Sequence, residues 1–336
     1  MKQSKSAPTR RDVAERAGVS VTIVSYVLNN NRYVAKDKKE RVLQAVKELH
    51  YRPNTVARAL KGKKSNHILF IADNISNEHF GKIVEEMDRI AYDKGYLISL
   101  LADRNDAEFV AQVNSRQVDG IVISSAGFDE VYVQQLIDSG VPVVLLMNRE
   151  YTGIPDQAGR IYTGLHQGMR DCVKFLEQKG RRHLLYIDRI SRHGRFSTRD
   201  DLRFRAFCEQ MEESGLELEP ERIVTGCSSE QQLFELVCEK LSSDMPVDGI
   251  VGRNDNLACV AMRAALACGR QVPGDISVIG FDNSRMSAYV TPALTSMEID
   301  RAQIAKAIVT MLDGMIAGEE PQCRSFATRL VERDST

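Results

Sequence analysis

Seven short apolar segments, beginning at residue 67, constrain this 336-residue chain more than any other feature. They are HILFIA (67–72), YLISLL (96–101), GIVISS (120–125), VPVVLLM (141–147), HLLYID (183–188), GIVG (249–252) and ISVIGF (276–281). Stretches with a helical apolar period lie between them. Phe80, Ile83, Val84, Met87, Ile90 and Ala91 mark one. Leu165, Met169, Cys172, Val173 and Leu176 mark another, and Leu257, Val260, Ala261 and Ala264 a third. A strand that is apolar along its whole length has to be covered on both faces. Such strands alternating with helices predict an α/β fold of parallel sheets between helical layers. Roughly 270 residues hold more strands than one compact sheet takes, so two similar lobes are expected. A ligand cleft then lies between the lobes, at the carboxyl ends of the strands.

The first 64 residues have a different texture. They hold 16 Lys and Arg against 5 Asp and Glu, a charge of +11, while the rest of the chain carries −12. A basic head on an acidic body is the electrostatic footprint of nucleic-acid binding. The head's charges lie on patterned helices rather than in a tail. Thr9 opens a capping pattern with Asp12, and Val13, Ala14 and Ala17 make one apolar face before Gly18 breaks the helix. Ser20 is placed to cap a second helix, in which Val24, Val27 and Leu28 face inward. Val21, Thr22, Ser25, Tyr26 and Asn29 face outward, and Thr22, Ser25 and Asn29 can exchange hydrogen bonds with base edges or phosphates. A third helix, roughly Asp37 to His50, buries Val42, Ala45, Val46 and Leu49. Helix, tight glycine turn and helix with a small polar outer face is the helix-turn-helix pattern.

Between head and body lies YRPNTVARALKG (51–62). Pro53 cannot continue an incoming helix, Asn54 can cap a new one, and Gly62 can end it two turns later. Two turns are too short to be stable alone in water, so the segment either packs on something or folds with a partner. Arg58 and Lys61 can reach phosphates, and Ala57 and Leu60 form a thin apolar edge suited to a minor-groove wedge. The expected organisation is therefore a DNA-binding head at 1–51, a hinge and linker at 52–65, and a two-lobed effector and dimerisation domain at 66–336.

Several functions are disfavoured. No run of 18 apolar residues predicts a membrane span, and MKQSKSAPTRRD lacks the apolar core of a signal peptide, so a cytoplasmic location is expected. The seven cysteines form no CxxC and read as reduced, mostly buried thiols. The histidines show no metal-ligand spacing, so no metal and no cofactor are expected. There is no GxGxxG after the first strand and no GxSxG, and no catalytic residue is assigned. In the body, polar residues just past strand ends are the cleft candidates: Asn74 and Phe80, Asn148, Arg203, Asn254 and Asp282. Asn, Asp and Arg can each bridge neighbouring hydroxyls, and an aromatic ring can cover the apolar face of a sugar. Each taken alone also reads as a loop cap or turn former.

DVAERAGVSVTIVSYVLN, followed by YRPNTVARALKGKKS, resembles the DNA-binding head and hinge of the LacI/GalR family of bacterial regulators. VGRNDNLACVAMRAAL, GRQVPGDISVIGFDNS and PALTSMEID resemble that family's effector domain, itself similar to periplasmic sugar-binding proteins. The resemblance covers essentially the whole chain. It implies that residues 20 to 29 enter the major groove, that Thr9 and Tyr33 join the contacts, and that the hinge enters the minor groove with Leu60 as wedge. It also implies that Asn148, Arg203, Asn254 and Asp282 hold the effector. Two departures stand out in the head. Tyr26 replaces an arginine common in the family, and Ala35 replaces a capping Ser, at a cost of about 1 kcal/mol unless Asp37 substitutes. In the cleft, Asn148 and Asn283 each stand where the family often has Asp. PALTSMEID is expected to cross back to the first lobe, with the helix of Ala305, Ile308, Val309, Leu312 and Ile316 packing there. No leucine heptad follows Val331, so a homodimer is expected rather than a tetramer.

The expected function is a ligand-responsive repressor on a pseudo-palindromic, double-stranded operator, released by a sugar or sugar derivative. The alternatives are a regulator using its ligand as co-repressor, a cytoplasmic sugar-binding receptor and an α/β enzyme.

Overall fold

The computed structural model describes residues 8–29, 32–51, 64–154, 156–191 and 194–336. The chain forms two compact units, Met1–Ser65 and Asn66–Thr336. In the first, α1 (Arg10–Ala17), α2 (Val21–Asn29) and α3 (Lys36–Glu48) enclose a core of Val13, Ala14, Ala17, Val24, Val27, Val42, Ala45 and Tyr51. Thr9 and Asp12 form a full capping box on α1, and Gly18 ends that helix at φ 63°. That left-handed conformation suits glycine, and it turns the chain directly into α2.

The second unit holds two sheets. In the first lobe β1 (His67–Ala72), β2 (Leu97–Ala102), β3 (Gly120–Ser124), β4 (Val143–Leu146), β5 (Gly159–Tyr162) and β11 (Cys323–Ser325) lie in the order β11-β5-β4-β3-β1-β2, all parallel. The helices α4 (Glu78–Ala91), α5 (Ala107–Asn114) and α6 (Glu130–Asp138) connect its first four strands. In the second lobe β6 (Leu184–Ile187), β7 (Ile223–Val224), β8 (Gly249–Gly252), β9 (Ser277–Phe281), β10 (Thr295–Ile299) and β12 (Thr328–Val331) lie in the order β12-β10-β9-β8-β6-β7. The helices α7 (Leu165–Gln178), α8 (Leu202–Glu213), α9 (Glu230–Ser242), α10 (Asp255–Ala267) and the short α11 (Arg285–Tyr289) belong to this half of the chain. Only β12 runs antiparallel to its neighbour among the described strands.

The apolar runs locate the central strands because those strands are buried on both faces: β1, β3, β4, β8 and β9 hold almost no exposed residue. Three crossings join the lobes, after Tyr162, after Ile299 and after Ser325. The PALTSMEID expectation is corrected in part. Thr295–Ile299 pairs with β9 and stays in the second lobe, and the chain crosses only at Asp300. The helix α12 (Arg301–Ile316) does return to the first lobe, where Leu312 and Met311 cover Gly120 of β3 and Gly159 of β5. A side chain at Gly159 would overlap Met311, and one at Gly120 would crowd Leu312, so the close approach of the helix favours glycine at both positions. The third helix of the head runs Lys36–Glu48 rather than to His50. No helix among the described residues is long and apolar enough to cross a membrane.

Candidate DNA-reading face and effector cleft

On the head, Ser20 Oγ accepts a hydrogen bond from the Ile23 amide at 3.3 Å, which fixes the start of α2. Val21 and Thr22 are exposed on its first turn, and Ser25, Tyr26 and Asn29 are half-buried along the same face. Arg10 reaches Ser25 Oγ at 3.4 Å, and the Arg32 guanidinium lies 5.2 Å above the Tyr26 ring. Tyr26 thus carries a cation on its face, a cation–π arrangement that no local spacing signals. Thr9 is engaged as the α1 cap, with its hydroxyl 2.8 Å from Asp12 Oδ2, and Tyr33 is almost fully exposed. Ala35 caps α3 with no side-chain bond, and Asp37 does not substitute, since its carboxylate faces Arg41 at 3.7 Å. The hinge residues Asn54, Ala57, Arg58 and Leu60 lie outside the described residues.

In the second unit, both lobes aim the carboxyl ends of their strands at one cavity of about 720 Å³. In each sheet the strand order reverses beside the lobe's first strand, between β1 and β3 and between β6 and β8, where loops part and leave room for a ligand. Asn74, Phe80, Asn148, Arg203, Asn254 and Asp282 all line this cavity, although they come from segments spread over two hundred residues of sequence.

Three of the six also hold the local structure. Asn74 Oδ1 accepts the Ser76 amide in a turn, Asn254 Oδ1 caps α10 through the Leu257 amide, and Asn148 Nδ2 donates to Ser124 Oγ. Each amide keeps its other polar atom for a ligand, so turn formation and lining are compatible. Asp282 follows β9 with φ +98°, a strained conformation for a residue with a side chain. The strain is held by bonds on every side. Its amide donates to Met297 O, its carbonyl accepts from the Arg301 guanidinium, and Arg203 Nη2 meets its carboxylate at 2.9 Å. Arg203 also stacks on Phe281 at 4.7 Å, which fixes the plane of its guanidinium.

Four functional candidates have no sequence signature. His79 is buried, its imidazole pushed down to about 4 by burial, so it is neutral at pH 7. Its Nδ1 lies 3.7 Å from Asp282 Oδ1 and has no hydrogen bond. Asp201 caps α8 and binds Arg189 Nη2 at 2.6 Å and Arg253 Nη1 at 2.7 Å. Despite burial, which alone would raise it, Asp201 is held at about 2, chiefly by the charge and hydrogen bond of Arg253. Arg189 and Arg253 line the cavity and Asp201 lies behind them. Partners 12 and 52 residues apart leave no spacing to read.

Residues 9–54 match the family of bacterial regulatory proteins of the lacI type, and residues 173–336 match the periplasmic binding protein-like domain. Over 335 residues the chain is 32% identical to the HTH-type transcriptional repressor PurR of Serratia proteamaculans, covering 97% of this chain and 96% of that one. The chain belongs to the LacI family. Its fold is that of the lac repressor dimer bound to operator and the anti-inducer ONPF, with a TM-score of 0.81 and 24% identity over 98% of this chain and 99% of that one. A transcriptional regulator in complex with cellobiose, CelR, gives a TM-score of 0.71 at 24% identity over 98% and 100%. This LacI-family protein is a DNA-binding transcriptional regulator with a ligand-binding domain, and not an enzyme.

Proposed function

We propose that the protein is a homodimeric repressor that leaves a pseudo-palindromic operator when a sugar or sugar derivative fills the cleft between its lobes. The supporting observation is the convergence of Asn74, Asn148, Arg203, Asn254, Asp282 and Phe80 on one cavity of about 720 Å³. Paired hydroxyls suit such a site, because each can donate to a carboxylate or amide oxygen and accept from a guanidinium or amide nitrogen. Phe80 and the neutral His79 offer the ring surface that a sugar's C–H face needs. Outer-face Val21, Thr22, Ser25, Tyr26 and Asn29 would read the major groove, with Ser20 setting the helix start, and the hinge would couple cleft to operator. The relatives support this reading in kind, since they include a transcriptional repressor, a repressor bound to operator and a regulator in complex with cellobiose.

The test is operator binding measured with increasing concentrations of neutral mono- and disaccharides. Release is expected, with a coupling of about 5–150-fold. In Asp282→Ala, ligand binding should fall by more than ~1 kcal/mol while ligand-free operator affinity is unchanged. A ligand that tightens operator binding would replace induction by co-repression, and full release of the Asp282→Ala variant at an unchanged dose would remove Asp282 from the site.

A further inference from the structure

Two arginines on the second-lobe wall lie side by side with one directly bonded carboxylate, Asp201, between them among the described residues. Arg189, just past β6, contributes Nη2 and Nε to Ser197 Oγ and Nη2 to Asp201. Arg195, further along the same loop, donates Nη1 to the carbonyl of Gly127, in the first lobe after β3, at 2.9 Å. A methyl group built on Gly127 would lie 3.9 Å from Arg195 Cδ and 4.0 Å from Arg189 Nη1, so both side chains meet at this glycine. Arg195 has no carboxylate partner among the described residues.

The carboxylates nearby are already committed. Asp201 serves Arg253 as well as Arg189, and its Oδ1 also accepts the amides of Arg203 and Phe204. Asp188 accepts from the Ser197 amide, Ser197 Oγ and Thr225 Oγ1. Neither acid lines the cavity, whereas Arg189, Arg195 and Arg253 do. Of the acids that line it, Asp282 is paired with Arg203, Asp103 accepts from Ser125 Oγ and Glu230 accepts from Asn256 Nδ2. Asp73, on the opposite wall, is exposed. Burial first, and then the neighbouring Arg253 charge, push the Arg189 guanidinium down, against the opposing pull of Asp201, Asp73 and Asp188.

We propose that Arg189 and Arg195, beside Gly127, form an oxyanion subsite, and that the effector is a polyhydroxylated ligand carrying a carboxylate or a phosphate monoester. Planar guanidiniums with unused N–H groups match the spacing of such oxygens. Gly127 leaves the approach open, and an anion bridging Arg195 to the neighbouring wall joins the two lobes. The same two arginines and Gly127 also line an adjoining cavity of about 540 Å³ together with Arg149 and the carboxylates Asp129, Asp200 and Asp201, of which Asp200 is paired with Arg149 and Asp201 with Arg189 and Arg253. The inference rests on the cleft being the effector site, and it narrows the effector class from sugars to acidic sugars.

The test uses full-length protein with inorganic phosphate and acetate as probes, against sodium chloride at matched ionic strength. The variants are Arg189→Gln/Arg195→Gln and, as a control outside the cleft, Arg324→Gln. At ten times its dissociation constant, an anion that occupies the subsite raises the melting temperature of the effector domain by about 2–4 °C in the wild type and the control. The double variant should lose that rise. A response to phosphate alone identifies a phosphate ester, and one to acetate alone a carboxylate. Equal melting in all three salts, or an equal rise in the double variant, overturns the subsite. Operator release by glucose, glucuronate and glucose 6-phosphate separates this inference from the broader one. A neutral sugar that releases wild type and double variant at the same dose sinks the oxyanion subsite and leaves the sugar-responsive repressor standing. Anion stabilisation lost in the double variant, with no sugar altering operator binding, does the reverse.

Discussion

The outer face of α2 and the second-lobe wall of the cleft are both built from polar side chains, but they are prepared differently. On α2, Thr22 and Asn29 have no side-chain partner among the described residues, and Ser25 has one weak contact from Arg10. On the wall, Arg203, Asp282, Asp201 and Arg253 are all buried, and each is bonded to at least one of the others. The head stands on a core of seven small side chains and Tyr51, whereas the wall stands on the six-stranded sheet of the second lobe. A surface that reads a long polyanion gains most of its affinity from charge and can leave its side chains free until contact. A cleft that must discriminate between small ligands has to hold its donors and acceptors in place beforehand, because an unpaired buried group is what rejects the wrong one. Separating the two regions is the coarsest way to check this division. A chain beginning at Ser65 should keep ligand binding and lose specific operator affinity by about a thousandfold or more, as read by gel retardation and calorimetry. Operator retardation by the truncated chain would break the comparison outright.

The next test concerns how rigidly the wall is built. Asp201→Ala removes the one carboxylate shared by Arg189 and Arg253 and also uncaps α8, so denaturant unfolding of the body should lose about 3–5 kcal/mol. Asp73→Ala, on the exposed opposite wall, should change stability by less than ~0.5 kcal/mol. Similar losses at both positions would mean that the wall is no more organised than ordinary surface.

Asp255 tests the same organisation through pH. It is buried behind Asp282, and burial together with that neighbouring carboxylate pushes it up to about 7. Between its ordinary value near 4 and that point the folded protein holds a proton that the unfolded chain has released. Stability of the body should therefore fall as pH rises across this window, by on the order of 4 kcal/mol, and level off above it. Asp255→Asn should flatten the profile, because the amide can turn its oxygen to the Ser284 amide and its nitrogen to Ser296 Oγ. Urea titrations at pH 5 and pH 8 measure this directly, and equal slopes with pH in variant and wild type would assign the effect elsewhere.

Legibility in the sequence followed burial and locality. The central strands were readable because each is apolar throughout. GRIY, IV, CRS and TRLV were not, since β5, β7, β11 and β12 are short and owe their conformation to the neighbours they pair with. TSMEI is buried, but Thr295, Ser296 and Glu298 interrupt its apolar pattern, and it was expected to cross between lobes instead. In the cleft, a polar residue after a strand end can be read locally, and all six such candidates line the cavity. The ion network beneath them cannot, because Arg253 and Asp201 meet only when the second lobe is complete. On the head the polar outer face of α2 was legible, whereas Arg32 over Tyr26 was not, since Arg32 lies beyond the end of the helix and no spacing places it over the ring.

That pairing sets the next expectation. If the head reads bases with side chains that commit late, Tyr26→Arg should move base preference at one position of each half-site by about 1–3 kcal/mol in a randomised-site selection. It should leave the stability of the head nearly unchanged. An unaltered preference would make Tyr26 a support for Arg32 rather than a reader.

The smallest effect tests whether the head's lack of preparation extends to its scaffold. Ala35 occupies the N-cap of α3 with extended backbone angles suitable for a cap, yet no side chain accepts from the first turn. The same turn carries Lys36, Lys38 and Lys39, which face the positive end of the helix dipole, and Asp37 is turned toward Arg41. The head therefore forgoes a contribution that α1 obtains in full from Thr9 and Asp12. Ala35→Ser should supply the missing acceptor and stabilise the head by about 0.5–1 kcal/mol, and Ala35→Asp should do so more strongly at low salt than at high. The readout is amide hydrogen exchange across residues 36–48 in the full-length protein, where slower exchange in both variants is expected. Unchanged exchange would mean that α3 opens with the three-helix core rather than by fraying from its own start. The marginal element would then be the small core and not the uncapped helix.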